Sequence, residues 1–325
     1  MPESEVVRIA RLQREKLLAR EANEMRLMAR RWLEVERALE AEMLKVVAEL
    51  AKESIVTEAM ILKNARMQSL LYQARNQFAK YADFMEEKVT KIQKVNLAFG
   101  ANDAFKILKA GADEVGLGMT FDQLNVKAIE YMFGFGADGS PLKSLLMKSY
   151  GDAVNGILRE LAGGLAKGLN PIRVAKGMAE GFGIGLDRAL VIARTETLRA
   201  YRMGSQEQYK DSGVVMQYKR MATISDRTCV GCLMQDGKIY DTVDEFEEHP
   251  NGRCTLIPIV NGGPVPTWET GKEWFERQSL DKQAEILGPG RFEAWQNGTA
   301  LEDMSKHVED ATWGGSWVPT PVGEL

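Results

Sequence analysis

Apolar residues recur at alternating steps of four and three through the N-terminal part of the chain: Leu18, Ala22, Met25, Ala29, Trp32, Leu39, Met43, Val46 and Leu50. That spacing lays a narrow stripe along one face of an α-helix, and sustained over several heptads it suits a long helix packed against another. Glu36 is the one charged residue in the stripe. The pattern predicts a helix from about Ser4 to Lys52, with Ser4 able to cap its start. A second stripe runs through Met60, Met67, Leu71, Ala74, Phe78, Tyr81, Met85 and Ile92, after a break expected near Lys52–Thr57. No Pro or Gly occurs between Glu3 and Phe99. The Met and aromatic positions read as core packing. A long helical hairpin accounts for both stripes, and an intermolecular coiled coil does so nearly as well, since stripes this narrow suit a partner helix.

Glycines then punctuate the pattern. Short helices are expected at Ala101–Ala110 and Thr120–Phe133, the latter ended by Gly134–Gly139. Another starts at Ser140-Pro141, with Pro at the first helical position, and runs to about Leu161. The next runs from Ile172 to Glu180, stopped by Gly181 and Gly183. These glycines lack the Gly-Lys-Ser/Thr and the preceding strand of a phosphate loop, so they read as helix ends. Asp187–Lys210 is a further helix with an apolar face. The first strand follows Gly213, from Val214 to Ala222, with shorter ones at Lys238–Tyr240 and Thr255–Ile259. Helices at Trp268–Phe275 and Asp281–Ile286, a turn at Gly288-Pro289-Gly290 and a helical turn at Arg291–Trp295 come next. The end, Thr312–Leu325, holds Trp313, Trp317, Pro319 and Pro321 and is expected as an extended arm without regular structure, docked through its tryptophans. The fold class is thus mainly α with a C-terminal α+β module. The divisions are long helices at 1–118, a helical scaffold at 119–213, the α+β module at 214–304 and an aromatic tail at 305–325.

Composition changes this picture little. The 325 residues are 45% hydrophobic and 27% charged, as in a globular protein, with a net charge of −4. That balance argues against coating nucleic acid through bulk charge. The N-terminus lacks the charged and apolar regions of a signal peptide, and no apolar run approaches the ~20 residues that span a bilayer. The expectation is a chain made and used on the cytosolic side.

Cysteine placement changes it more. All three cysteines, Cys229, Cys232 and Cys254, fall in one short window together with His249, one of two histidines. Cys-x2-Cys followed by His and Cys is a set of four zinc ligands, and a filled set of four implies one structural zinc rather than a catalytic ion. Strands frame the window, so the module reads as a zinc knuckle. The competing reading is free thiols. A nuclease-like reading uses Arg194, Glu196 and His249 with the acidic run Asp241, Asp244, Glu245, Glu247 and Glu248 as acid, base and anion-binding groups. Against it, His249 serves better as a ligand, and Arg194 and Glu196 stand two apart on a helix and diverge. Those two read as contacts that seat the strand and the cysteine loop on the helix, and the acidic run as a solvated face. Lys210, Lys219, Arg220 and Arg227, interleaved with Tyr209 and Tyr218, suggest a weak, salt-sensitive DNA contact.

Several pieces in order carry a resemblance. They are Ala193-Arg194-Thr195-Glu196, Gly213-Val214 and its strand, and Asp226-Arg227-Thr228-Cys229-Val230-Gly231-Cys232. Asp236-Gly237 and His249-Pro250-Asn251-Gly252-Arg253-Cys254-Thr255 continue the series. Ile286-Leu287-Gly288, Arg291 and Trp295-Gln296-Asn297-Gly298 complete it. Over roughly Met119–Met304, and most strongly over Ile192–Ile259, this series resembles the phage head morphogenesis family, the phage Mu F-like and SPP1-type minor head (minor capsid) proteins. The resemblance implies a non-enzymatic virion component in the capsid interior or at the portal vertex, assembled in the host cytoplasm. Its implied partners are the portal protein and a capsid or scaffolding protein, with no membrane, and its implied role lies in procapsid assembly and DNA packaging or delivery. Arg194, Glu196 and Arg253 are then structural-motif residues. The chain departs from the family where Asn-Cys-Arg-Cys is frequent: Gly252 leaves Cys254 as the available fourth ligand. The alternative function is a zinc-containing nucleic-acid-binding or processing protein.

Overall fold

The computed structural model describes residues 4–52, 58–118, 122–124, 148, 151, 155–164, 167, 169–225, 228–244, 246–310 and 313–325. The two stripes form α1 (Glu5–Leu50) and α3 (Ala65–Glu114), with a short α2 (Glu58–Lys63) between them. Ser4 caps α1, its hydroxyl accepting the Val7 N–H at 3.4 Å. The helices pair within one chain. Trp32 of α1 stacks on Phe78 of α3 with ring centroids 5.6 Å apart and meets Tyr81 edge-on at 5.0 Å. The Tyr81 hydroxyl donates to the Met28 carbonyl at 3.0 Å. Four positions of the first stripe shift by one residue: Leu17, Met28 and Val35 are buried while Leu18, Ala29 and Glu36 are half-buried, and Glu21 is buried where Ala22 is exposed.

The chain divides into two compact units. One comprises Met1–Ala19, Gln93–Gly134 and Thr197–Leu325, the other Arg20–Ile92 and Phe135–Glu196. The second unit holds the aromatic pairing above and the helical residues 155–164, where Gly164 packs against Val174.

Two glycine expectations are corrected. Gly100 does not start a new helix, because α3 runs through it to Glu114. Gly181 and Gly183 do not stop one, because α4 (Pro171–Asp211) passes through both. Glycine costs a helix only about 1 kcal/mol per residue, which packing overrides. At Gly100 the packing is visible: a Cβ there would lie 2.0 Å from the Tyr201 carbonyl oxygen, and one at Gly204 would lie 2.2 Å from that of Leu97. The pair lets α3 and α4 cross backbone to backbone, with the Ser205 hydroxyl donating to the Gly100 carbonyl at 3.1 Å. The start of α4 is as expected, with Asn170 Oδ1 accepting the Ile172 N–H at 2.9 Å ahead of Pro171. Of the helix expected at Thr120–Phe133, only 122–124 are described, and these are not helical. They are held by buried Gln208, which accepts the Leu124 N–H at 2.7 Å and donates to the Asp122 carbonyl at 3.1 Å. The helix start at Ser140-Pro141 lies outside the described residues.

The first unit carries the sheet. β1 (Val215–Met221) lies between β2 (Ile239–Asp241) and β3 (Thr255–Val260), all antiparallel. One cluster packs Val215, Tyr218, Leu256 and Val260 against Leu108, Ala112 and Tyr209. Another covers Met221 and Ile257 with Val6, Val7, Ala10 and Ile107. Beyond the sheet come α5 (Val230–Gln235), α6 (Gly271–Glu276), α7 (Leu280–Leu287) and α8 (Pro289–Gln296). Thr270 and Glu273 form a capping box at α6. Pro289 begins α8 in place of the expected turn, with Gly288 at φ 74° as the joint from α7. The expected arm is also corrected: β4 (Ser305–Asp310) and β5 (Gly314–Pro319) form a hairpin. Gly314, at φ 77°, supplies the left-handed turn residue, and the Asp310 carboxylate accepts the Trp313 N–H at 2.9 Å. Pro319 and Pro321 stand at and beyond the strand end, where a missing donor costs nothing.

Candidate metal centre

Local sequence builds the cysteine cluster in three steps. Cys229 is the N-cap of α5, its sulfur accepting the Cys232 N–H at 3.3 Å, so both thiols sit on one helix end. Asp236 closes the other end: it accepts the Ala222 N–H at 2.7 Å, the Gly271 N–H at 2.8 Å and the Trp268 indole N–H at 3.2 Å. Trp268 therefore precedes α6 instead of opening it. The turn at His249–Gly252 then aims the imidazole. Asn251 adopts φ 68°, and the Gly252 N–H returns to the His249 carbonyl at 3.0 Å. His249 Nδ1 lies 2.8 Å from the Pro250 carbonyl, which can only accept, so Nδ1 carries a proton.

That bond turns Nε2 onto the sulfurs, 3.3 Å from Cys229 and 3.1 Å from Cys232. The three donors lie within 4.8 Å of one another. Cys254, at the foot of β3, joins through Cys232 at 3.3 Å and makes a second such trio with Cys232 and Glu248. The cysteines are free thiols, Cys229 half-buried and the other two buried. The donor chemistry fits a borderline-soft divalent ion such as zinc. Metal bonds of about 2.0–2.3 Å separate tetrahedral ligands by roughly 3.5–3.8 Å, so admitting an ion opens the close Cys229–Cys232–His249 contacts and draws Cys254, which stands outside that trio, toward the other donors. Cys229, Cys232, His249 and Cys254 would hold it. Such an ion supplies cross-linking strength rather than a reactive position.

Beneath the cluster lies a charged layer that sequence reading missed. Glu248 was expected on a solvated face, yet its side chain and that of Arg220 are each 2% exposed and pair at 2.9 Å. Glu248 Oε1 stands 3.6 Å from Cys232 Sγ and 3.5 Å from His249 Nε2. Arg220 also donates to the Glu247 carbonyl at 2.8 Å and reaches within 4.0 Å of Cys232 Sγ. Buried Arg202, from α4, donates to the Gly252 carbonyl at 3.3 Å. The two guanidiniums share the Phe246 ring, at 4.8 and 5.9 Å. Alternation along β1 was the available signal, since it puts Arg220 on a buried position between neighbours that pack.

Titration follows from these contacts. A hydrogen bond with Cys232, then the His249 ring, hold the Cys229 thiol down at about 4 against its burial. Burial works to lower His249, but the Cys229 contact and the Glu248 charge outweigh it and raise the ring to about 9. Burial likewise disfavours ionised Glu248, and Arg220 with Arg202 overcomes it, leaving the carboxyl below its usual range.

The remaining sequence candidates are placed elsewhere. Arg194 on α4 pairs with buried Glu21 of α1. Glu196 is half-buried on the same helix, and the Arg253 carbonyl accepts the Thr223 hydroxyl at 3.0 Å. Among the described residues the basic, aromatic DNA patch is not assembled. Tyr209 and Tyr218 are buried, Arg220 is paired inside, Lys210 bonds Glu207, and Lys219 lies over the Trp268 ring at 4.4 Å. Asp226, Arg227 and Glu245 lie outside the described residues. Among the described residues no helix is long and apolar enough to cross a membrane.

No curated protein and no solved structure matches the chain. Residues 155–257 match the family model described as phage Mu protein F like protein, so the segment that carries α4, β1, β2, the start of β3 and the whole cysteine window is similar to that head-morphogenesis family.

Proposed function

We propose that the chain is a minor structural protein of a phage head that binds the portal vertex and assists procapsid assembly and DNA packaging or delivery, with a structural zinc in its cysteine cluster. The observation that carries this reading is the convergence of Cys229, Cys232 and His249 inside the segment similar to the phage Mu F-like family. The cluster ties the start of α5 to the foot of β3, where Cys232 and Cys254 are buried together with Ala222. An ion there contributes on the order of 10 kcal/mol to folding. With four protein donors the ion has no place for substrate, which supports a staple and a non-enzymatic role.

Two measurements test the reading. Co-expression with the portal protein of the same phage should yield a complex that co-elutes in size-exclusion chromatography; separate elution of two folded proteins contradicts portal binding. Metal analysis of freshly purified, reduced protein should give one zinc per chain. A content well under one equivalent removes the zinc.

A further inference from the structure

The two carboxylate oxygens of Glu248 face different neighbours. Oε2 accepts from Arg220 at 2.9 Å, and Arg220 is held in turn by the Glu247 carbonyl at 2.8 Å. That leaves Oε1 aimed at the cysteine cluster, 3.6 Å from Cys232 Sγ and 3.5 Å from His249 Nε2. The backbone makes room for it, since a Cβ at position 252 would fall 2.3 Å from that oxygen. As a hydrogen-bond acceptor Oε1 is badly served there. Cys232 and Cys254, which form a trio with Glu248, offer only thiols, and thiols are weak donors. His249 commits its Nδ1–H to the Pro250 carbonyl, so a neutral ring turns the Nε2 lone pair toward Oε1. A buried carboxylate oxygen facing a lone pair and sulfur costs free energy, and a cation among them removes that cost.

Glu248 has a stronger claim than Cys254 to the fourth place on such an ion. Cys254 joins the Cys229–Cys232–His249 trio through Cys232 at 3.3 Å. Oε1 meets two members of that trio, and both distances, 3.6 and 3.5 Å, already lie in the range of roughly 3.5–3.8 Å that separates tetrahedral ligands. Resting on the metal reading above, we propose that Glu248 Oε1, in place of Cys254, is the fourth ligand of the ion, with Cys229, Cys232 and His249 as the other three. Arg220 then orients the carboxylate from behind, in the way that hydrogen-bonding partners fix metal ligands. Cys254 remains a thiol packed with Cys232 and Ala222.

X-ray absorption at the zinc edge of the full-length, reduced, zinc-loaded protein tests this without any substitution. Two sulfurs at about 2.3 Å and two nitrogen or oxygen donors at about 2.0–2.2 Å are expected. Three sulfurs, with or without an added oxygen, overturn the proposal. Competition for Zn(II) against a chromophoric chelator gives an independent reading. Glu248→Gln should weaken binding by more than about a hundredfold, beyond the loss expected of a residue that only supports a ligand. Cys254→Ala should stay within about tenfold of the parent, the small loss of an outer residue. A smaller loss in Glu248→Gln, or a larger one in a folded Cys254→Ala, overturns the proposal too. Glu248→Gln strips buried Arg220 of its carboxylate, and where either variant fails to fold, the sulfur count of the parent decides. A parent protein that holds no zinc defeats the metal reading along with this one, whereas a three-sulfur centre defeats this inference alone.

Discussion

A side chain at position 252 and the carboxylate of Glu248 would occupy one volume. A Cβ on Gly252 would lie 2.3 Å from Glu248 Oε1 and 2.4 Å from its Cγ, and Arg220 holds that carboxylate in place. The glycine that departs from the Asn-Cys-Arg-Cys pattern is therefore required by this chain's own buried glutamate. Gly252→Ala should cost about 1–3 kcal/mol in urea unfolding, as overpacking does. A cost near zero would mean that Glu248 swings aside freely. The Cys229–His249 pair sets a pH dependence for the metal-free protein. His249 is raised from 6.5 to about 9, so its contribution is complete below 6.5 and lost as pH rises through 9. Cys229 is lowered from 9.0 to about 4, so its contribution is complete above 9 and lost as pH falls through 4. The two slopes oppose between pH 6.5 and 9, giving a plateau, and only the cysteine slope acts from 6.5 down to 4. Stability of chelator-treated protein should be flat over the first range and decline over the second. A decline as steep in Cys229→Ser would assign the acid loss to other groups.

Among elements, the crossing of α3 and α4 is the most demanding contact. Gly100→Ala drives a methyl into the Tyr201 carbonyl, backbone that cannot rotate away. We expect a loss of roughly 3 kcal/mol or more, at the upper end of overpacking costs, read as a lower denaturation midpoint at unchanged slope. A loss under about 0.5 kcal/mol would show that the helices can separate there. Both apolar stripes were legible because burial along a helix repeats every turn, and Trp32, Phe78 and Tyr81 meet as that repeat requires. Strands β1, β2 and β3 and the convergence of three of the four proposed ligands were legible for similar local reasons. Gly100, Gly181 and Gly183 misled because propensity describes an isolated helix, while each sits within a long one, and at Gly100 a neighbouring helix supports it. The hairpin of β4 and β5 was hidden by its tryptophans and prolines, whose place depends on His307 pairing with Glu247 at 2.8 Å and stacking edge-on against Trp317. Arg202 was hidden for a plainer reason: nothing local marks an arginine that will be buried.

At the scale of the molecule, α1, α3 and α4 each supply residues to both compact units. The cysteine cluster belongs to the first unit alone, and the Trp32 cluster to the second. Cys232→Ser, or chelation of the parent, should therefore remove the near-ultraviolet signal of the first unit's aromatics at a lower temperature while most far-ultraviolet helix signal persists. A single transition lowered for both signals together would instead make the two units one cooperative block.

Val6, Val7 and Ala10 cover Met221 and Ile257. The helical turns that carry them thus stay uncovered during synthesis until β1 and β3 are made. Residues 20–92 and 135–196 have no such wait, since the partners of that unit are complete once α4 is half made. Synthesis therefore imposes an order, with the second unit assembled while these turns remain uncovered, and the sheet and cysteine cluster after it. A piece beginning at 197 lacks that cover, and its sheet would expose Met221 and Ile257 to whatever apolar surface comes near.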